Sequence, residues 1–172
     1  MGLNPAQFRL LIVRPTLQAL GLWSPAAEEL LLMTAAHESG GLAYLDQVTR
    51  SDDLAQGQAT WGPAYGVFQI EAATHDDVFE NFLAYRDDLR EAVLGFRAPS
   101  PAPERQLATN LAYATAIARM VYLRDSEPLP AADDVAGLAH YAKRVFNTSL
   151  GAATPEAYAD AYRRLRAQEG RA

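Results

Sequence analysis

The sequence predicts a mainly α, single-domain protein with one long irregular insert that has room for a small hairpin. Three observations carry this. Apolar residues recur at helical spacing through most of the 172-residue chain. Capping residues followed by proline mark helix starts at Asn4-Pro5, Ser24-Pro25 and Thr154-Pro155. Between residues 42 and 70 the helical period gives way to Gly, Asp, Ser and Pro around short β-prone pieces.

Composition narrows the class. Hydrophobic residues make up 49% and charged residues 21%, which fits an ordered globular chain with a proper core. The net charge is −6 and the 15 basic residues are scattered, an argument against a nucleic-acid footprint. There is no cysteine, hence no disulfide framework, zinc–thiolate site or thiol nucleophile. The three histidines, His37, His75 and His140, are too far apart in sequence to suggest a metal site. No apolar run approaches the ~20 residues of a membrane span. The N-terminus lacks a signal-peptide pattern, so synthesis in a cytoplasm without a signal is expected.

Taken in order, a first helix carries Phe8, Leu11 and Ile12 on one face, and Pro15 should kink or split it. Residues 25–38 form the central helix, and the long insert of residues 42–70 follows, closing in a tight turn over residues 62–66. Thr74 to Asp77 should cap a helix bearing Val78, Phe79, Phe82 and Leu83, and a shorter one runs to Gly95. Residues 97–103 are a loop. Residues 104–124 give the clearest helical pattern, through Leu107, Leu111, Ala114, Ala118 and Val121. Asp133-Asp134 start another helix through Phe146, and Thr154-Pro155 open the last, with Tyr158, Tyr162 and Leu165 on one face. The domain spans residues 1–172, with its core at about 24–165.

The central helix holds the candidate acid. From Leu30 to Ala36 it is apolar almost all round, the mark of a helix buried on most sides. His37-Glu38-Ser39 follow, and Gly40-Gly41 stop it. Glu38 lies over Ala35, Thr34 and Leu31. No Lys or Arg occurs between Arg14 and Arg50 to pair with it. A carboxylate so placed tends to keep its proton, which general acid catalysis needs; a solvated helix end would look the same in sequence.

Three pieces in this order resemble lysozyme-like lytic transglycosylases, the superfamily of soluble lytic transglycosylases and goose-type lysozymes: Glu38-Ser39, then Tyr65-Gly66-Val67-Phe68-Gln69-Ile70, then Asn110-Leu111 with Tyr122-Leu123. Leu138-Ala139-His140-Tyr141 is a looser fourth match. The family's Asn-Ala-Gly after that tyrosine is here Ala142-Lys143-Arg144, and Ala114 or Thr115 stands at a family glycine. From Tyr141 through Phe146-Asn147-Thr148 to Gly151 and Thr154 the chain is similar to bacteriophage-encoded members. The resemblance implies an α+β lysozyme-like fold and cleavage of the β-1,4 bond of a peptidoglycan glycan strand, with no cofactor. It makes Glu38 the single acid and base, and gives substrate-binding roles to Ser39, Tyr65, Gln69 and Tyr141. A virion-associated enzyme, in company with other virion proteins, or an endolysin would reach that substrate.

Other readings stay open. Asp46, Asp52 and Asp53 lie where a hydrolase would carry a second carboxylate, which would suit chitin or chitosan, yet Ser-Asp-Asp is also ordinary turn chemistry. Glu71 follows Gln69-Ile70 and reads as a polar lead into the next helix. A Gln69 amide suits sugar hydroxyl and N-acetyl groups, and a Tyr141 hydroxyl could orient Glu38 or simply belong to the core. Ser39 could meet substrate or cap its own helix. Tyr44, Trp61 and Tyr65 could stack on sugars or pin the loop. A metalloprotease is excluded because Gly41 stands where H-E-x-x-H needs its second His, and no G-x-S-x-G occurs. A virion structural or glycan-binding protein is the non-enzymatic alternative.

Overall fold

The computed structural model describes residues 2–48, 61–147 and 153–170, in which eight helices carry a small antiparallel sheet as an insert. The first, α1, joins an α turn (Pro5–Gln7), a π-helical segment (Phe8–Val13) and an α segment (Arg14–Ala19). Asn4 caps it, its side-chain oxygen accepting from the Gln7 amide at 3.0 Å. Of the kink or split expected at Pro15, the split does not occur, since the helix runs on to Ala19. The π turns before the proline, where the Arg14 amide reaches back to the Arg9 carbonyl, accommodate a residue with no N–H to give.

Helix α2 (Pro25–Glu38) runs through the core. Ser24 accepts from the Ala27 amide at 3.1 Å, and every residue from Leu30 to Ala36 is buried. Burying each large side chain here contributes on the order of 1.5–3 kcal/mol, which is why this helix needs no polar face.

The insert is more regular than expected. Strands β1 (Asp46–Val48), β2 (Trp61–Tyr65) and β3 (Ile70–Glu71) form one sheet in the order β1-β2-β3. Asp46 pairs with Tyr65, and Tyr65 in turn with Ile70. Asp52 and Asp53 lie outside the described residues. In the turn joining β2 to β3, Gly66 has φ +75°, and a Cβ there would sit 1.8 Å from the Leu107 carbonyl oxygen. Two backbones meet at that point, and only glycine permits it.

Helices α3 (Ala72–Asn81) and α4 (Asp87–Leu94) follow, with a 3₁₀ turn (Leu83–Tyr85) between them. The helix expected over 104–124 is two, α5 (Pro103–Thr109) and α6 (Leu111–Leu123). Asn110 divides them because its side chain has better partners than a continuous helix would allow. It accepts from the Tyr113 amide at 3.1 Å and donates to the Phe96 carbonyl at 2.8 Å. Helices α7 (Val135–Val145) and α8 (Pro155–Glu169) complete the domain, capped by Asp134 and Thr154.

A charged cluster ties α1, α2 and α8 together. Arg9, 8% exposed, donates to Glu28 at 2.7 Å, to Glu29 at 2.8 and 2.9 Å, and to Glu169 at 2.9 and 3.1 Å. Arg14 and the Trp23 indole also donate to Glu28, and Tyr162 to Glu29 at 2.7 Å. These donors hold the Glu28 carboxyl down at about 2 despite its burial. Among the described residues no helix is long and apolar enough to cross a membrane.

Candidate active site

Glu38 closes α2 at the point where the buried run meets the surface. Its carboxyl is largely enclosed, and burial pushes its pKa above the ordinary 4.5. Among the described residues this rise is opposed by the Tyr158 hydroxyl, which donates to Glu38 Oε1 at 2.6 Å. Burial outweighs that hydrogen bond, and the group favours its neutral form. One turn back, Thr34 and the Tyr122 hydroxyl share a bond of 2.6 Å, satisfying both buried groups behind the carboxyl. The Tyr122 phenol is held well above its usual range by burial and by Glu38.

Glu38 opens into a cleft of about 440 Å³. Gln47, Gln69 and Asn147 bring three carboxamides to its wall, Thr74 a hydroxyl and Glu71 a second carboxylate. Ala64, Ile70, Val121 and Phe146 supply the apolar part. Such a lining can donate to, and accept from, a neutral polar ligand while packing against its apolar faces.

Gln69 is set by its backbone. It has φ +48°, unusual for a residue with a side chain, at the end of the tight turn begun by Gly66. Both its amide N–H (3.0 Å) and its side-chain Nε2 (2.7 Å) donate to the Gly66 carbonyl. The side-chain oxygen, the acceptor end, has no hydrogen-bond donor among the described residues. Gln47 reaches the cleft across Gly62, where a Cβ would lie 2.1 Å from the Gln47 Oε1.

The structure brings Glu38, Gln69 and Glu71 to one cleft and leaves Ser39, Tyr65 and Tyr141 out of its lining. Tyr141 does not orient Glu38. Its hydroxyl donates to the Glu127 carbonyl at 3.3 Å, its ring packs at 5.9 Å from Tyr122, and the Arg144 guanidinium covers it. Ser39 is fully buried and so out of reach of substrate: it donates to the Ala35 carbonyl at 2.7 Å and accepts from the Leu42 amide at 3.1 Å. It is the cap of α2. Tyr65 lies under the Arg105 guanidinium, 4.9 Å from its ring centre, and Arg105 also pairs with Asp46. That pairing makes Asp46 a fastening of the sheet. Asp52 and Asp53 fall outside the described residues.

Sequence reasoning missed Tyr158 as a site residue. The Thr154-Pro155 start of α8 was legible, and so was the face of Tyr158, Tyr162 and Leu165, but nothing local announces a contact 120 residues away. It also missed Gln47, because the signal was only a glycine facing it across a strand pair. Among the described residues no group of His, Asp and Glu is placed to hold a metal ion. Comparison with protein-family models, with curated proteins and with solved structures gave no match.

Proposed function

We propose that this protein is a muramidase that cleaves the β-1,4 bond between MurNAc and GlcNAc in peptidoglycan, acting as a lytic transglycosylase with Glu38 as its one acid and base. The observation that carries the reading is the enclosed Glu38 carboxyl, its pKa raised by burial, opening into a cleft lined with carboxamides. The sequence resemblance to lysozyme-like lytic transglycosylases points the same way.

The chemistry follows from a carboxyl that holds its proton. Tyr158 occupies Oε1 as a donor, so the acid proton of Glu38 belongs on Oε2. From there it passes to the glycosidic oxygen as the C1–O bond breaks, and positive charge develops at C1 of the muramyl ring. The substrate's own acetamido oxygen supports that centre. Glu38, now a carboxylate, takes the proton of the 6-hydroxyl, whose oxygen closes onto C1 as a 1,6-anhydro ring. Acid and base are then the same group, and it returns to its starting state. Gln47, Gln69 and Asn147 are suited to the N-acetyl and hydroxyl groups of the strand. A virion carrying the enzyme into the wall, or an endolysin released to it, would bring the two together.

A second reading has one observation in its favour. Glu71 lines the same cleft as Glu38, so a two-carboxylate hydrolase is the alternative. Mass spectrometry of purified peptidoglycan after incubation separates them. Anhydro-muropeptides support the transglycosylase, and reducing ends the hydrolase. Sedimentation with the wall and no cleavage at all would leave a glycan-binding protein.

A further inference from the structure

We propose that His37 is a positioning residue acting through Tyr158: its ring backs the phenol and keeps the hydroxyl on Glu38. This rests on the reading of Glu38 as the acid. Two consecutive residues of α2 grip a single side chain of α8. The His37 imidazole stacks on the Tyr158 ring with centroids 3.9 Å apart and planes at 25°, while Glu38 receives the hydroxyl at 2.6 Å. Neighbouring helix positions point about 100° apart, so a ring placed between them is held from two directions.

The arrangement fixes the one freedom that matters. A tyrosine has two side-chain torsions, and a flat ring pressed on one face fixes the plane in which the hydroxyl lies. His37 also shares the wall of one cavity with Ala157, the residue before Tyr158. The imidazole therefore sits on the same turn of α8 that carries the phenol. Ala36 and Ala157 are small enough to let the two helices come together around it.

His37 is only half buried, and it lines a cavity of about 600 Å³ on the flank of α2 away from the cleft. A side chain with open space beside it adds little as core filling. Its ring instead stacks on the tyrosine that donates to Glu38.

The test uses His37→Ala, His37→Leu, His37→Phe, Tyr158→Phe and the double variant His37→Ala/Tyr158→Phe in the full chain. Two readouts are taken: carbon-13 titration of the Glu38 side-chain carboxyl, and kcat and KM on purified glycan strands. His37→Ala should move the Glu38 titration upward, as losing the hydroxyl does in Tyr158→Phe. It should lower kcat about tenfold, the scale of one charge-assisted hydrogen bond, with KM little changed. His37→Leu, which fills the volume without a flat ring, should behave alike and serves if the alanine variant does not fold. His37→Phe should restore both readouts. In the Tyr158→Phe background, His37→Ala should add nothing. An unmoved Glu38 titration in both His37→Ala and His37→Leu, or full additivity with Tyr158→Phe, overturns the proposal. If the wild-type protein cleaves no glycan, the muramidase reading fails, while the titration still decides the role of His37.

Discussion

Replacing Glu38 with Gln tests the centre of the site, because the amide keeps shape and hydrogen-bonding capacity but cannot deliver a proton. Gln Oε1 can still accept from Tyr158. General acid–base catalysis contributes roughly 10²–10⁴-fold, so cleavage should fall by at least that lower bound. The effect on stability has a definite sign. A hydrogen bond to an ionised carboxylate is worth about 1.5–3 kcal/mol, yet the Glu38 pKa is raised even with Tyr158 donating. Burial therefore costs the ionised form more than that bond returns. Below pH 4.5, the ordinary value, the carboxyl is neutral folded and unfolded, and the two proteins should melt alike. As pH rises, the unfolded wild type ionises freely and the folded one does not, so wild type loses stability until the pH passes the folded pKa. The variant escapes this loss. Its melting advantage should open above pH 4.5 and level off at higher pH, while muropeptide release disappears and wall sedimentation persists. A variant that cleaves at near wild-type rate, or an advantage that shrinks as pH rises, would refute the reasoning.

Gly66→Ala should destabilise by about 2–5 kcal/mol, since the new Cβ meets the Leu107 carbonyl at 1.8 Å and the residue has φ +75°. Melting should drop by roughly 5–15 °C, and an unchanged melt would mean the turn can move freely off α5. Arg9→Met leaves Glu28, Glu29 and Glu169 without their shared cation and should cost about 3–5 kcal/mol at pH 7. Because the Glu28 carboxyl sits at about 2 against an ordinary 4.5, its contribution is present above pH 4.5 and lost as pH falls toward 2. Denaturant melts of the two proteins should accordingly converge across that acid range. Asp52→Asn and Asp53→Asn should each leave most cleavage intact, and Glu71→Gln should as well if one carboxylate does all the proton transfer. A loss of several orders of magnitude in Glu71→Gln, with reducing ends as the wild-type product, would make the enzyme a hydrolase.

What was legible in the sequence was local. Ser24-Pro25, the apolar run from Leu30 to Ala36 and Gly40-Gly41 bound α2 through interactions a few residues apart, so Glu38 could be placed at its end. The tight turn expected over residues 62–66 is instead strand β2 as far as Tyr65, and the turn begins at Gly66, fixed by a backbone 41 residues on that no local pattern shows. Asn110 defeated the helical pattern because its partners, Phe96 and Tyr113, are chosen by tertiary packing as well as by spacing. Tyr141 and Tyr158 have equal standing as buried aromatics on helices. Which of the two reaches Glu38 depends on how α7 and α8 dock, and no periodicity contains that. Glu28 and Glu29 lie in the same stretch without a basic residue, yet they receive Arg9 from α1, a pairing that only the packing of α1 on α2 decides.

Helix α8 spans about 17 Å between Tyr158 and Glu169. Along that length it touches Glu38 at one end, Glu29 in the middle through Tyr162 and Arg9 at the other. The Glu38 and Glu29 contacts depend on one register against α2, running in the opposite sense, and the last depends on the place of α1 beside it. A slide of a single turn would break them together, and so would a local opening that lifted the helix. The acid's hydroxyl partner and the charged fastening at the far end thus belong to one cooperative unit. Amide exchange along α8 and loss of cleavage on warming should then report the same event, ahead of the melting of the apolar helix beneath.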